Sequence, residues 1–414
     1  MNNDQIDITK ANELLDSVLS TEARQWGKAR TLPSAIRVTE KLEPVGGFGI
    51  PVYPASYPSA VGEPIYDMNG KLANAEGQLT GYRHCVIDSY QSQANRMEPA
   101  FKDQALKQVI PQYTITVPRK KGDSPTTEAM NALDIAHRVA DFRIRLSDQP
   151  LLAKDAIKSF DAGDALPLIR FLPTSILFGF WDSRGELGTK HARILMARID
   201  ANDVIPCQKH SLYSGQYSKD EFVDLLEIAP EDADDKILSE RGFSNAPGSG
   251  LGGVLVNGGI TRTSILSLTD IARIHCMNGA ELDHEKTNAA RRYLFCLGLI
   301  AEAYQRECGN YNLRSGCELR IMDGEAYALQ GGADNPGLLE FCKNQQALLA
   351  VATDAAKTLG ISSATTTLAI TSDSLKAEFN DAKDKKEGKK VKAAAKKAAK
   401  KAVSASASPD QPPA

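Results

Sequence analysis

The chain has 414 residues, of which 42% are hydrophobic and 24% are charged, and its formal net charge is −3. This composition is typical of a soluble globular protein, and the length suits two average domains or one domain with large insertions. No apolar stretch approaches the ~20 residues that span a membrane, and the N-terminus has no signal-peptide pattern. We therefore expect a cytoplasmic protein without a membrane partner.

The charge is distributed unevenly along the chain. Residues 381–402 carry ten lysines against three acidic residues, so this segment has a net charge of +7 and the rest of the chain −10. From residue 376 onward the sequence is low in complexity and has no apolar face, which predicts a disordered tail. Because an acidic body does not predict a nucleic-acid binder, any such function requires a local basic groove.

Reactive side chains show no catalytic or metal-binding pattern. The seven cysteines include no C-x-x-C pair and the six histidines are scattered, so we expect reduced core thiols and no metal or cofactor. No P-loop, H-E-x-x-H motif or nucleophile elbow is present. The residues therefore show no catalytic constellation that would indicate an enzyme.

In chain order, the first predicted element is a helix at 9–25, capped by Thr9. Residues 35–45 alternate, which predicts a half-buried strand with Arg37, Thr39 and Lys41 on its basic outer face. Residues 46–82 are rich in Gly and Pro and predict a long loop. A short buried strand, Cys85-Val86-Ile87, follows the loop.

A polar turn and helix follow this strand, and we expect a break near Pro99. Their polar side chains are Ser89, Gln91, Ser92, Gln93, Asn95 and Arg96. Such groups at a helix N-terminus can bind phosphate and ribose oxygens. The alternative is a polar loop with an ordinary helix cap, because Ser and Asn are common at such positions for local reasons.

The middle of the chain predicts a strand at 112–117, a charged turn at 119–125 and a largely helical stretch at 126–165. Residues 171–181 are strongly apolar and predict a buried strand ending at a core Trp181. A further strand is predicted at 192–200, whereas 206–253 has no regular pattern. The later elements are a hairpin or two short strands at 254–268, a helix at 283–307, a strand at 313–322, a helix at 336–359 and a strand at 366–371.

Residues 248–253 match the G-x-G-x-x-G pattern of dinucleotide-binding folds. That site needs a strand before the glycines and a helix after them. Here Asn245-Ala246-Pro247 precedes the motif and the strand-like Val254-Leu255-Val256 follows it. We therefore expect no dinucleotide site, although glycine would permit close approach to a ligand backbone.

Six segments together resemble one family. They are LPSAIRVTEKLEPVGG, DSYQSQANRMEPA, LPTSILFGFWDSRG, HARILMARIDANDV, GSGLGGVLVNGGITRTSILSL and LRSGCELRIM. The chain resembles the guide-RNA-binding backbone subunit of the type I-G (formerly I-U) CRISPR Cascade, of the RAMP superfamily. The resemblance covers residues 32–360.

The resemblance implies an α+β fold with a ferredoxin-like palm of the RNA-recognition-motif type, over residues 1–375. Helical and hairpin insertions would lie at 46–82, 119–165 and 206–262, and the tail would cover 376–414. A thumb within 206–262, or alternatively within 46–82, would fold over the RNA.

Family members are not normally nucleases, and they bind guide RNA (crRNA) as a filament in antiviral defence. The implied partners are crRNA, target DNA paired with the guide, further copies of the chain, and the Cascade large subunit with other effector subunits. The RNA contacts carried over from the resemblance are Ser89, Gln91, Ser92, Asn95, Arg96, Arg184, Lys190, Arg193, Arg262 and Arg314. For each arginine the alternative is an ordinary ion pair.

Two other functions remain open at this point. One is a guide-maturing endoribonuclease that uses His84 or His210 as a general base. The other is a nucleotide-dependent enzyme that uses the glycine loop at Gly248.

Overall fold

The computed structural model describes residues 7–62, 64–121, 124–183, 188–213, 219–227, 229, 246–307, 311–380 and 383. The chain forms a mixed α+β structure around one large, curled antiparallel sheet. A smaller sheet and several two-stranded ribbons surround it. No helix in the described parts of the chain is long and apolar enough to cross a membrane.

The elements are numbered in chain order. The strands are β1 (Ala35–Pro44), β2 (Ser56–Pro58), β3 (Pro64–Tyr66), β4 (Met68–Ala73), β5 (Leu79–Asp88), β6 (Gln112–Lys121), β7 (Ser124–Asn131), β8 (Phe180–Trp181), β9 (Lys190–His191), β10 (Leu195–Tyr213), β11 (Ala246–Val256), β12 (Ile260–Ser267), β13 (Met277–Asn278), β14 (Glu281–Leu282), β15 (Tyr311–Arg314), β16 (Cys317–Gln330) and β17 (Thr365–Ala369). The α-helices are α1 (Ile8–Leu19), α2 (Tyr90–Met97), α3 (Phe142–Arg145), α4 (Pro150–Asp161), α5 (Leu166–Phe171), α6 (Thr174–Phe178), α7 (Lys219–Leu226), α8 (Leu268–Ile271), α9 (His284–Glu307), α10 (Pro336–Lys343) and α11 (Gln345–Leu359). Short 3₁₀ turns cover Ala29–Thr31, Glu98–Lys102, Lys107–Val109, Ala132–Asp134 and Arg138–Ala140.

The large sheet has the strand order β15-β16-β1-β12-β10-β5-β4, and β11 also pairs with β10. Its central strands are all antiparallel to their neighbours. The chain runs from β1 through α2 to β10, and from β12 through α9 to β16. The smaller sheet has the order β17-β6-β7, with β17 parallel to β6.

One hydrophobic core lies between the sheet and the helices. Ile36 and Val38 of β1 point into it together with Leu266 of β12, and α1, α9 and α11 supply the opposite side. Helix α9 is buried around most of its circumference, so it forms the centre of this layer. A second core lies toward the other end of the sheet, where Leu42 and Val204 pack beneath β15 and β16.

Several predictions from periodicity are confirmed. Strand β1 alternates as expected, with buried Ile36 and Val38 and an exposed Arg37. Helix α9 occupies the predicted span, and Asp283 accepts a hydrogen bond from the backbone N–H of Lys286. For α1 the predicted cap was wrong, because Asp7 rather than Thr9 accepts the hydrogen bond from the Lys10 N–H.

The long loop predicted at 46–82 contains β2, β3, β4 and the beginning of β5. These strands are short and largely exposed, so they lack the alternation that identifies a half-buried strand. For a related reason, residues 206–253 showed no regular pattern although they contain strand residues. Strands β10 and β11 pair from Val204↔Val256 to Tyr213↔Ala246 and extend as a hairpin beyond the second core.

The apolar run 171–181 was predicted as a strand, but it contains the last residue of α5, all of α6 and only two strand residues. A short apolar run does not distinguish a buried strand from a buried helix. Gly179 ends α6 with a φ of 75°. The helix predicted at 126–165 is also wrong over its first residues, because 124–131 pair with β6 as the second strand of a hairpin.

Three boundaries near the C-terminus differ from prediction. Residues 313–322 are a hairpin rather than one strand, because Gly316 (φ 78°) turns the chain between β15 and β16. The helix predicted at 336–359 is divided at Asn344, which caps α11. Residues 372–380 are helical, and Glu378 forms an ion pair with Arg145, so the predicted tail begins later than 376. The rest of the predicted tail, apart from residue 383, lies outside the described residues.

Candidate nucleic-acid interface

The face of the large sheet that points away from the helices is mainly polar and partly exposed to solvent. Its residues come from three adjacent strands, β1, β12 and β10. We call them the open face: Arg37, Thr39, Lys41, Arg198, Thr261 and Thr263.

Strand register places these side chains in rows. Thr39 lies beside Thr263, which lies beside Arg198 on the far strand. Lys41 lies beside Thr261 in the next row. Because neighbouring strands are ~4.8 Å apart, one row presents hydroxyl and cationic groups over about 10 Å. This surface can donate hydrogen bonds to several oxygens of one extended polyanion.

A connected polar chain borders the open face. The Arg198 guanidinium lies 5.1 Å from the centre of the Tyr90 ring, and its Nε donates to Asp200 at 2.8 Å. The other carboxylate oxygen of Asp200 lies 2.8 Å from His84 Nε2. These contacts fix the orientation of Arg198 and leave Tyr90 40% exposed at the start of α2.

Helix α2 carries the polar turn identified in the sequence. Ser89 is its N-cap and accepts a hydrogen bond from the Ser92 N–H at 3.3 Å, so the local capping role is present. Gln91 and Asn95 are exposed, whereas Gln93 is buried. One side of the helix therefore serves packing and the other faces solvent.

Arg193 joins α2 to the chain just before β10. Its terminal nitrogen donates to Gln91 Oε1, and its Nε is buried without a partner among the described residues. Burial, with a further contribution from the nearby Arg138 charge, lowers the pKa of Arg193. Arg193 also forms no ion pair within the described parts of the chain. A partly desolvated guanidinium without a carboxylate partner is well placed to bind an external anion.

Trp181 was predicted as a core residue, and this prediction is wrong because its side chain is 62% exposed. It lies on the short β8–β9 ribbon, where Lys190 Nζ is 5.5 Å from the centre of its ring. The ribbon is held to the body through Phe180 and His191, whose Nε2 lies 3.1 Å from the Ile176 carbonyl oxygen. The structure thus presents an aromatic ring beside a cation.

Arg96 and Arg314 serve a different arrangement. Both donate to the buried Asp88 carboxylate, Arg96 from Nε at 3.2 Å and Arg314 from a terminal nitrogen at 2.6 Å. Each also donates to backbone carbonyls, including those of Leu313 and Tyr53. These bonds use most of their donors to tie α2 to the β15 strand.

Arg262 is fully buried in a charged network beneath the sheet. It donates to Glu302 with two nitrogens, to Glu40 at 2.9 Å and to Gln93 at 2.9 Å. Burial raises the pKa of Glu40, whereas for Glu302 the same effect is outweighed by the Arg262 charge and hydrogen bonds, which lower its pKa. In this conformation an external RNA does not reach Arg262.

The structure therefore separates the ten predicted contacts into groups. Ser89, Gln91, Ser92, Asn95, Lys190 and Arg193 lie around the exposed side of α2 and the adjoining ribbon. Arg96, Arg314 and Arg262 have carboxylate partners, and Arg184 lies outside the described residues. Sequence reasoning missed Arg198 and Tyr90. The alternation of β1 did indicate Arg37 and Lys41.

The glycine motif has a structural explanation. A Cβ at Gly253 would lie 2.6 Å from the Val52 carbonyl oxygen, and one at Gly252 would lie 2.5 Å from the Gln208 backbone. These glycines permit close packing against the chain's own backbone within β11. No cluster of potential metal ligands occurs among the described residues.

Residues 36–206 match the model of one protein family, described as CRISPR-associated protein GSU0053. This segment, which is less than half of the chain, is therefore similar to a family of CRISPR-associated proteins. No curated protein matches the chain.

The matched segment contains most of β1, all of α2, the β8–β9 ribbon and the first half of β10. It therefore includes Arg37, Tyr90, Arg193 and Arg198. Strand β12 and Arg314 lie beyond it.

Proposed function

We propose that the chain is a non-catalytic backbone subunit of a type I-G CRISPR Cascade that binds guide RNA by its sugar-phosphate backbone. The observation that carries this proposal is the open face, where hydroxyls and cations lie in rows and Arg198 contacts Tyr90 at the start of α2. The match of residues 36–206 to a CRISPR-associated family supports the same assignment.

The topology supports a ferredoxin-like palm. Strands β16, β1, β12 and β10 are neighbours in that order, and the crossovers through α2 and α9 connect alternate strands. This is the arrangement of a β-α-β-β-α-β unit. In this proposal the other elements are insertions into the palm.

The chemistry of the open face suits a ligand of arbitrary sequence. A guide subunit must bind phosphate and ribose and leave base edges free for pairing with target DNA. Threonine hydroxyls, Arg37 and Arg198 can bind those oxygens without distinguishing bases. The β10–β11 hairpin, which extends from the palm, is our candidate for the thumb that folds over the RNA.

The proposal also includes assembly. Copies of the chain would form a filament along crRNA, present the guide to target DNA, and contact the large subunit and other effector subunits. Electrostatic attraction to RNA would then be concentrated on the open face and the α2 surface, since the body of the chain is acidic.

The test is RNA binding by Arg37→Ala and Arg198→Ala. Each variant should weaken binding equally for unrelated guide sequences, and each lost phosphate contact should reduce the salt slope by about 1. Arg273→Ala is a matched control, because Arg273 is 80% exposed in the turn after α8 and is not part of the open face. Unchanged affinity in both open-face variants, or loss for one guide sequence only, would refute the proposal.

One observation favours a second candidate, a guide-maturing endoribonuclease. His84 Nε2 is oriented by Asp200 at 2.8 Å, an arrangement that a general base can use. If this candidate is correct, purified protein should cleave repeat RNA and His84→Ala should abolish the cleavage. Repeat RNA that stays intact after incubation with the protein would rule out the endoribonuclease function.

A further inference from the structure

Trp26 is the most exposed large hydrophobic residue in the described parts of the chain, with a relative exposure of 103%. It lies in the turn between α1 and β1, which we call the Trp26 turn (residues 20–31). Lys28 and Arg30 flank it, both exposed and without an ion pair among the described residues. An uncovered indole beside two cations is typical of an interface anchor.

The Trp26 turn is held firmly although its tryptophan is uncovered. The Lys28 and Ala29 N–H groups both donate to the Gln25 carbonyl, at 3.1 and 3.2 Å. The Arg24 guanidinium donates to the Val18 and Pro33 carbonyls, each at 2.7 Å. A rigid turn loses little conformational entropy when its side chain is bound.

A complementary surface exists elsewhere on the same chain. A groove of about 300 Å³ lies between the 103–106 turn, the C-terminal end of α9 and the start of α11. We call it the acidic groove, and its lining includes Asp103, Leu106, Ile300, Ala303, Glu307 and Leu349. Ile300 and Ala303 form an apolar floor, and two carboxylates lie at the rim, opposite in charge to Lys28 and Arg30.

The two surfaces lie toward opposite ends of α9. Thr21 of the Trp26 turn contacts His284 at the N-terminal end, with Oγ1 2.9 Å from Nδ1, and donates its N–H to Asn288. The acidic groove uses residues 300–307 at the other end. At 1.5 Å per residue, His284 and Tyr304 are about 30 Å apart. A single chain therefore does not join its own two surfaces, whereas neighbouring copies can.

We propose that the Trp26 turn of one copy docks into the acidic groove of the next copy. Different surfaces meeting head to tail generate an open helical assembly rather than a closed dimer. The inference rests on the proposed function, since it supplies the contact by which the filament on guide RNA grows.

The test uses the full chain and RNA long enough for several copies, with particle mass measured by mass photometry. Trp26→Ala should weaken self-association on the long RNA about 30-fold, the effect of losing a hot-spot residue. Its affinity for an RNA too short for two copies should be unchanged. Leu151→Ala is the control, because Leu151 is 62% exposed on α4 and belongs to neither surface.

Charge reversal tests the pairing directly. The Lys28→Glu/Arg30→Glu chain and the Asp103→Lys/Glu307→Lys chain should each assemble poorly alone. The doubly reversed chain, which carries all four substitutions, should recover assembly, because every copy then presents complementary surfaces again.

The outcomes separate the two proposals. If the unmodified chain binds no RNA, the proposed function fails. If it assembles normally and Trp26→Ala assembles equally well, the docking inference fails. Loss of short-RNA binding in Trp26→Ala would also overturn the inference, because Trp26 would then contact RNA rather than a second copy.

Discussion

Replacing Arg262 with methionine tests whether the buried charge network supports the sheet rather than binding RNA. The guanidinium has no exposed surface and bonds both Glu40 and Glu302, which are themselves buried. Methionine retains the hydrophobic stem but removes the charge. Two carboxylates then remain in the core without their cation, although Tyr311 still donates to Glu40 at 2.6 Å.

Removing one partner of a buried ion pair typically costs about 3–5 kcal/mol. Because single domains are stable by roughly 5–15 kcal/mol, the Arg262→Met variant should lose a large part of its free energy of unfolding. The loss should grow as pH rises. Without Arg262 the folded-state pKa of Glu302 should lie above its ordinary value of 4.5, so stability is lost as pH rises through and above that value.

The assay is urea denaturation followed by circular dichroism, at pH 5 and pH 8. The matched variant is Glu40→Gln/Arg262→Met/Glu302→Gln, which removes all three charges and should be more stable than Arg262→Met alone. A loss below about 1 kcal/mol in Arg262→Met would refute the reasoning. So would reduced RNA affinity in a variant whose unfolding curve matches the unmodified chain.

Three further predictions concern other features. Gly253→Ala should lower stability by about 1–3 kcal/mol in thermal unfolding, because φ is +86° and the new Cβ would meet the Val52 carbonyl oxygen. Gly250→Ala is the control, because its Cβ would meet nothing within 4 Å. Equal melting temperatures of the two variants would contradict this prediction. Burial raises the pKa of Glu98 to about 7, so its contribution to stability falls as pH rises from about 4.5 to 7. Glu98→Gln should flatten that slope in denaturation at pH 5 and pH 7.5, and an unchanged slope would assign it to another group. Short RNA should quench the fluorescence of Trp181 by base stacking. The Trp181→Phe variant should lose this quenching, whereas the Trp26→Phe variant should retain it. Quenching that persists in the Trp181→Phe variant would refute base stacking on Trp181.

Periodicity identified the elements whose one face is buried and whose other face is solvated. Strand β1 and helix α9 are of this kind, and their patterns fix both type and span. Periodicity failed where the two faces of a segment have the same environment. Residues 171–181 are mainly apolar and largely buried, and most of them form short helices. Residues 205–210 of the β10–β11 hairpin are largely exposed, so they show no alternation of buried and exposed positions.

The candidate site was predicted in part for a similar reason. Residues adjacent in sequence, such as those of the α2 turn, were found together because one helix presents them. Arg198 was missed because its position beside Thr263 and Tyr90 depends on pairing between distant strands. The sequence also does not distinguish an arginine that reaches solvent from Arg262, whose partners Glu40 and Glu302 are 222 and 40 residues away.

The acidic body of the chain is compatible with the proposed RNA ligand, because some of its carboxylates are used in internal ion pairs with particular arginines. Asp88 binds Arg96 and Arg314, and these contacts fasten α2 to the sheet from its inner side. The outer side of the same helix keeps Gln91 beside Arg193, which has no carboxylate partner among the described residues. Net charge is therefore a poor guide to the ligand here. The electrostatic field that an RNA backbone meets depends on which cations have no carboxylate partner, and among the described residues these include Arg193 at the α2 surface and Arg37 on the open face.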